Sequence, residues 1–554
     1  MTQTVNHVAL LPLYAAGGTA LLVLVMEIAF GRYALPAGIA GGLATIGGAV
    51  TLALRPASTF CGPEHCSWVS GPQAAVVAVL FAALTIGVLA LSAPALRAGA
   101  APAGEFCFLL TSSMAGGVVI AYAGDLITLI VGLETLTLPL YVLVGLRRFA
   151  PRERVTTTGA SAAITFFLVS VISTAIALLG AALLFASTGV LHLAVLTEGA
   201  GTLAPLGAVG GALLVIGFAF KVAAVPLHAW APTTYDGAPV PVAAYLSTAS
   251  KLGGVVALAA VVQRLDTGPL VAILAVLTMT VGNLVALRQS RMVRLLAWSS
   301  VAQAGYILAP LAAGSAGVPA AIAYAVFFVV LEFVAFAAVV ALRGTAADGG
   351  DLADYRGAAR GNPWLGAALV LAFAGLAGLP PGLSGLFAKV TIVAALINAG
   401  WGWLAGVVAL NAVIALAYYV RVTALLYARP ATVGIPFADL PATEGGPQPT
   451  ATTPAETKPP ATATPEAATS GAAASGAATP ADGGASADKP AIAAPASAES
   501  GATMTAVVDP DLLEAATHPR ADVPRTVAAA IVVAAVITIV LGFAPQWIFD
   551  ALIG

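Results

Sequence analysis

The chain has 554 residues, of which 60% are hydrophobic and only 9% charged, with a mean hydropathy of +0.97 and a formal net charge of −2. A soluble globule carries nearer a quarter charged residues, so the composition excludes one and indicates a polytopic membrane protein. No basic stripe is available to neutralise phosphates, which removes nucleic acid from the expected partners.

Apolar runs of about 20 residues, bounded by charge, proline or glycine, predict fourteen spans. They lie near 8–30, 35–54, 73–96, 105–122, 125–146, 158–188, 205–231, 241–263, 268–287, 295–314, 318–342, 363–400, 402–427 and 526–549. Nothing basic precedes Arg32, so the first span is expected to be retained and not cleaved as a signal peptide. In the loop after the second span, Cys61 and Cys66 flank Glu64 and His65. A structural metal site wants about four convergent ligands and nothing nearby completes one, so a disulfide or a free pair is expected there. Cys107, in the fourth span, reads as core.

The twelfth run is too long for one straight helix. Its middle, Gly378-Leu379-Pro380-Pro381-Gly382-Leu383-Ser384-Gly385, lacks two backbone donors and is expected to break the helix within the membrane. From about Pro430 to Asp522 the composition turns to Ala, Pro, Thr, Ser, Gly and Glu, which predicts a disordered linker with at most a turn or two of helix at Asp509–Ala516. Loop arginines orient the whole. Arg32, Arg97, the cluster Arg147, Arg148, Arg152 and Arg154, the set Arg288, Arg291 and Arg294, then Arg343, Arg356, Arg360 and Arg429 follow odd-numbered spans, against only Arg55 and Arg264 on the other side. The positive-inside rule makes the first group cytoplasmic, with the linker, and puts both termini outside.

Of five lysines, Lys458 and Lys489 fall in the linker, and Lys221, Lys251 and Lys389 lie inside apolar runs. Placing a lysine at mid-bilayer costs roughly 2.5–3.5 kcal/mol or more, so three of them require a reason. Glu134 in the fifth span and Glu332 in the eleventh complete the set. A structural ion pair between helices would explain any one of them, and for Glu332 alone that reading is as good as the functional one. For the set it is weak, because a row of titratable groups at one depth is what proton translocation requires. Glu27, near the end of the first span, is expected to reach toward headgroups.

Four motifs carry a family resemblance. Gly132-Leu133-Glu134-Thr135-Leu136-Thr137-Leu138-Pro139-Leu140-Tyr141 resembles the fifth-helix motif of the antiporter-like subunits of respiratory complex I, the proton-pumping NADH:quinone oxidoreductase. Phe218-Ala219-Phe220-Lys221-Val222-Ala223-Ala224-Val225-Pro226-Leu227-His228-Ala229-Trp230 is similar to that family's broken seventh helix. Arg294-Leu295-Leu296-Ala297-Trp298-Ser299-Ser300 with Gly305-Tyr306, and Gly385-Leu386-Phe387-Ala388-Lys389 after the proline break, are similar to its tenth and twelfth helices. Of the family's types, L has extra C-terminal spans and M normally has glutamate where Lys389 stands, so the chain most resembles the N type.

The resemblance implies an all-α polytopic fold of about 14 helices: residues 1–104 as helices 1–3, two inverted five-helix repeats at 105–263 and 264–430 with helices 7 and 12 broken, the linker at 431–524 and a last helix at 525–554. It implies a cell-membrane protein whose partners are lipid and other membrane subunits, including M-like and K-like neighbours. No cofactor is expected in this chain; NADH, FMN, iron–sulfur clusters and quinone are expected in the parent complex. Glu134, Lys221, Lys251, Lys389 and His228 are the expected relay, with Glu332, Tyr306 and Thr165 accessory. Two positions depart from the pattern: Thr165 stands where relatives often have lysine, and Gln303 where histidine is common. A hydroxyl passes a hydrogen bond but holds no charge. Tyr306 and Ser250 are candidates to line water, with core packing the simpler reading. His228 is either a proton shuttle or a hydrogen-bonded interfacial histidine.

Desolvation and a carboxylate act in opposite senses on a lysine's proton affinity, so moving Glu134 relative to Lys221 would load and unload the amine. Lys251 would pass the proton toward Lys389, with release outside at the Pro380-Pro381 break. Two other classes stay open: a subunit of a multisubunit cation/proton antiporter, and a scaffold whose polar residues only lock helices together.

Overall fold

The computed structural model describes residues 5–62, 64–146, 153–199, 201–344, 348–429 and 522–553, and the apolar runs of the sequence are helical in it. In chain order the helices are α1 (Leu11–Phe30), α2 (Ala34–Leu54), α3 (Pro72–Arg97), α4 (Ala103–Tyr122), α5 (Leu126–Gly145), α6 (Glu153–Thr188), α7 (Ala204–Lys221), α8 (Trp230–Gly237), α9 (Val240–Tyr245) and α10 (Lys251–Val262). They continue with α11 (Gly268–Ala286), α12 (Met292–Leu311), α13 (Val318–Arg343), α14 (Ala358–Gly361), α15 (Pro363–Ala377), α16 (Leu383–Asn398), α17 (Gly402–Tyr427), α18 (Arg525–Phe543) and α19 (Gln546–Ile553). Among the described residues, 12 helical segments are long and apolar enough to cross a membrane, and α15 and α16 are shorter apolar helices. The expected linker lies outside the described residues up to 521, as does Asp509–Ala516.

Three local features lie outside the sequence reading, although a Cys61–Cys66 disulfide is one of its expected outcomes. The run 526–549 is two helices, α18 and α19, because Pro545 supplies no backbone donor between them. The eighth run is interrupted by a π-helical turn, Leu246–Ser250, between α9 and α10. The loop after α2 is a small antiparallel hairpin, β1 (Thr59–Cys61) with β2 (Cys66–Trp68), in which Cys61 faces Cys66 and the two form a disulfide with Cα atoms 3.8 Å apart. The hairpin is seated by Trp68, whose indole N–H donates to Ala9 O at 2.8 Å and whose ring stacks on Tyr122 at 5.1 Å.

The centre of the protein is α13. Every residue from Ala320 to Ala341 on it is buried, as a helix apolar on all sides should be, and α9, α10, α12, α15, α16 and α18 pack around it. Glu332 is the one Asp, Glu, Lys or Arg in that stretch, so the acid sits where the core is most enclosed.

The two breaks share a backbone design. After α7, Ala223 adopts φ +60°, Ala224 N–H returns to Ala219 O and Ala223 N–H to Phe220 O, each at 2.9 Å. After α15, Gly378 adopts φ +82°, with Leu379 N–H to Ala374 O at 2.8 Å and Gly378 N–H to Gly375 O at 2.9 Å. Both are the left-handed closing turn in which a helix end satisfies its own last carbonyls. In both, a cis proline follows three residues later, Pro226 and Pro381. Glycine adopts that φ freely, whereas alanine there costs about 1–2 kcal/mol, which the burial of Ala223 must hold in place.

On the side where α11 ends, the loop cations are tied to backbone and acids. Arg421 donates to Leu287 O and Gln289 O at 2.7 Å each, an arginine on the negative end of α11. Arg291 joins Asp236, in the last turn of α8, to Asp348, after α13, at 3.0 Å to each. Partial burial pushes the Asp348 carboxyl up, but the Arg291 hydrogen bond and charge, the Gly350 N–H and the Arg343 charge outweigh it and hold it below the usual aspartate range.

Candidate functional site

The apolar-run lysines are withdrawn from solvent, Lys221 to 3% exposure, Lys251 to 1% and Lys389 to 7%, with Glu332 at 0%. Each must therefore find its partners within the protein.

The first cluster joins α5, α6 and α7. Asp125 caps α5 by accepting from Thr128 N–H at 2.8 Å, and from there Glu134, Thr137 and Tyr141 recur at helical spacing on one face. Lys221 Nζ donates to Glu134 Oε1 at 2.8 Å, Ser170 Oγ at 2.9 Å and Thr137 Oγ1 at 3.2 Å, which uses all three ammonium donors. Thr174 Oγ1 donates to the same Glu134 oxygen, and Tyr141 O–H to Ser170 Oγ at 2.6 Å. The pair is asymmetric: the Lys221 side chain is 4% exposed, while that of Glu134 is 23% exposed. Freed carbonyls of the break are met nearby, with Trp230 Nε1 donating to Phe220 O at 3.1 Å.

Lys251 begins α10 directly after the π turn, a distortion that rotates the residues on either side of it relative to a regular helix. Its amine donates to Ser300 Oγ at 2.6 Å and to Ser300 O, on α12. Ser300 Oγ lies 3.1 Å from Ser247 Oγ, and Ser247 donates to Glu332 Oε1 at 2.7 Å. Lys251 and Glu332 thus communicate through two hydroxyls and make no direct ion pair among the described residues. Glu332 Oε2 is buried without a hydrogen-bond partner.

The third cluster fills the second break. Lys389, on α16, donates at 2.8 Å to both Leu376 O and Ala377 O, the last carbonyls of α15, and its amine lies 4.9 Å from the centroid of the Tyr306 ring. A cation on the negative end of a helix is favourable, and these carbonyls have no ordinary helical partner because Pro380 and Pro381 follow. Gly378 leaves the room, since a Cβ there would stand 2.8 Å from Lys389 Cδ. Gln303 donates to Leu376 O at 3.0 Å and to Tyr419 O–H at 3.1 Å, and accepts from Tyr324 O–H at 2.5 Å. Ser299 Oγ is 2.5 Å from the same Tyr419 hydroxyl. Tyr306 accepts from Asn283 Nδ2 at 3.0 Å.

The structure brings the three lysines, both glutamates and Tyr306 into this interior series, and leaves two expected residues apart from it. Thr165 lies on the exposed side of α6, because the residues of α6 that meet Lys221 and Glu134 are Ser170 and Thr174. His228 is half-buried in the first break with its ring 5.1 Å from that of Trp298 and its Nδ1 without a hydrogen-bond partner. Lys221 and Lys251 are joined by packing: a Cβ on Gly254, one turn beyond Lys251, would lie 3.0 Å from Lys221 Cβ. Among the described residues no hydrogen bond links the two. Ser250 is buried. Glu27 does more than reach for headgroups, since one of its oxygens is buried and a Cβ on Gly104 would overlap its chain. Ser170, Thr174, Ser247 and Tyr419 were not legible as site residues; the one available signal was Ser247 lying one turn before Lys251.

Residues 123–415 match the family described as NADH:quinone oxidoreductase/Mrp antiporter, TM. The NADH-quinone oxidoreductase subunit N of Salinispora tropica is 60% identical over 458 residues, 78% of this chain and 88% of that protein. A subunit N 2 of Streptomyces griseus subsp. griseus is 39% identical over 481 residues, 82% of this chain and 86% of that one. Among solved structures, a chain of respiratory complex I from Thermus thermophilus superposes with a TM-score of 0.71 at 24% identity, covering 98% of this chain and 99% of that chain. A chain of the Mrp complex from Dietzia sp. gives 0.69 at 20% identity, covering 98% and 95%. These two likenesses are of fold.

Proposed function

The chain belongs to the NADH:quinone oxidoreductase/Mrp antiporter transmembrane family, and we propose that it works as the N-type proton-translocating membrane subunit of NADH-quinone oxidoreductase, with Glu134, Lys221, Lys251 and Lys389 as its proton-carrying groups. The observation that carries the residue assignment is the Glu134–Lys221 pair, a desolvated ammonium 2.8 Å from a carboxylate that is itself part-exposed. In this reading a neighbouring membrane subunit, K-like on the Glu134 side and M-like at the other end, covers that carboxylate and shifts it. Redox chemistry held by other subunits then biases a two-state ion pair. When Glu134 withdraws, the Lys221 amine keeps only two hydroxyl partners and gives up its proton more readily.

From Lys221 the proton moves across the Gly254 contact through water to Lys251, whose link to Glu332 by way of Ser300 and Ser247 tunes its charge. Lys389 receives it and releases it on the side away from the arginine-rich loops, where the broken α15–α16 segment admits solvent. Protein of the cell membrane, termini outside and linker cytoplasmic, is the arrangement that the loop arginines favour. The cation/proton antiporter reading has less support, because the matching family covers both kinds of protein whereas the relatives at 60% and 39% identity are named as subunit N.

Glu134→Gln keeps size and hydrogen bonding and removes the charge. Proton pumping per electron in sealed vesicles should fall while the subunit assembles normally. Undiminished pumping would exclude the pair as the switch.

A further inference from the structure

Beside the hairpin the protein has a cavity of about 690 Å³ that the proton path does not use. Glu64 and His65 of the hairpin loop line it, together with Arg264, which follows α10. The walls descend along Val77 of α3, Ile120 of α4 and Val256 of α10. Val77 lies five residues inside α3 and Val256 six residues inside the end of α10, so at 1.5 Å per residue the floor is roughly 8–9 Å below the helix ends. The rim is therefore at the water boundary and the floor at acyl-chain depth.

The rim carries one charge of each sign. Arg264 is exposed, and among the described residues its guanidinium has no side-chain or carbonyl partner. The Glu64 side chain is 85% exposed, with the imidazole Nε2 of His65 4.0 Å from its Oε2. The Cys61–Cys66 disulfide closes the short loop that bears Glu64, which limits the freedom that side must lose on binding. Two opposite charges above an apolar slot complement a headgroup that itself carries a phosphate and an ammonium. A singly anionic headgroup would satisfy Arg264 and leave Glu64 facing negative charge.

We propose that this cavity binds one zwitterionic phospholipid of the phosphatidylethanolamine class, with its phosphate on Arg264, its ammonium on Glu64 and the upper part of one acyl chain against Val77, Ile120 and Val256. The site is of the size that holds small amphiphilic ligands and unites apolar walls with a few placed polar groups.

The parent complex, reconstituted in vesicles of phosphatidylethanolamine doped with the same lipid bearing a diazirine near the start of one acyl chain, is irradiated and its peptides mapped. Label is expected on the segments containing Val77 and Val256. Arg264→Ala, an exposed change that leaves the helices intact, should lower it about tenfold, as losing one charge-assisted phosphate contact would, without altering label on the lipid-facing surface of α17. Val256→Trp, which fills the floor, should lower it likewise. Glu64→Gln should abolish the preference over a matched phosphatidylglycerol probe. Label unchanged in Arg264→Ala, equal label from the phosphatidylglycerol probe in the unaltered complex, or cavity label no greater than that on α17 would each overturn the proposal.

Discussion

Exchanging Lys389 for methionine isolates the amine at the second break. In the intact protein it donates at 2.8 Å to Leu376 O and to Ala377 O. Leu376 O also takes the Gln303 amide at 3.0 Å and keeps a donor after the exchange, whereas Ala377 O loses the one side-chain donor that the described residues supply. One orphaned buried carbonyl costs about 1–3 kcal/mol, offset in part because an ammonium no longer has to be desolvated. The methionine stem fills the slot beside Gly378, so the break holds its shape and the complex assembles. With no titratable group left there, NADH-driven quinone reduction and proton uptake in sealed vesicles should both slow at least about tenfold, which corresponds to ~1.4 kcal/mol on the limiting barrier. Lys389→Arg is the sharper arm, because arginine keeps the cation and does not release its proton. It should slow turnover as much as methionine. If the arginine form pumps at the unaltered rate while the methionine form does not, Lys389 serves as a fixed charge that holds α15, and the release role is wrong.

Gly254→Val would set a Cβ 2.9 Å from Val222 Cγ1 and 3.0 Å from Lys221 Cβ, so overpacking of about 1–3 kcal/mol should lower the Tm of the complex and pumping together; no change in either would show that this contact does not hold Lys221. Removing residues 431–521 and restoring a flexible connection should leave an assembled complex on native gels, since that composition cannot support packing, and loss of assembly would mean that the segment binds a partner. The lowered Asp348 carboxyl stabilises the fold above the unfolded aspartate range and stops doing so as pH falls through its lower folded value. Arg291→Ala should therefore lower thermal stability at pH 7 and have progressively less effect as the pH falls through the lowered folded value of Asp348, measured by thermal unfolding of the complex, and a deficit that persists unchanged in acid would assign the loss to something other than the ion pair.

The break at Pro226, inside the run 205–231, came only from the family resemblance; the membrane class, the runs that became helices and the break at Pro380-Pro381 were legible because hydrophobic run length and missing backbone donors act locally. So were Glu134, Lys221, Lys251 and Lys389, since a charge within an apolar run is conspicuous wherever it points. The hairpin, the π turn before Lys251 and the division of α18 from α19 were not, because each replaces one local hydrogen-bonding pattern by another that the same residues tolerate.

What the sequence determined by itself was which ionisable groups are taken into the membrane, for their desolvation follows from the flanking residues alone. Only the tertiary structure decided what each one meets. Glu134 and Lys221 are 87 positions apart, Ser247 and Glu332 85, and Gln303 and Leu376 73, and nothing in their spacing says that they touch. Thr165 shows the same limit from the other direction: its place in the sixth helix suggested a role, yet helical geometry turns it outward and gives the Lys221 contact to Ser170, five residues on. A buried ammonium takes its partners from whichever helices converge on it, and that convergence is set by the packing around α13, a property of the assembled bundle and of no single segment.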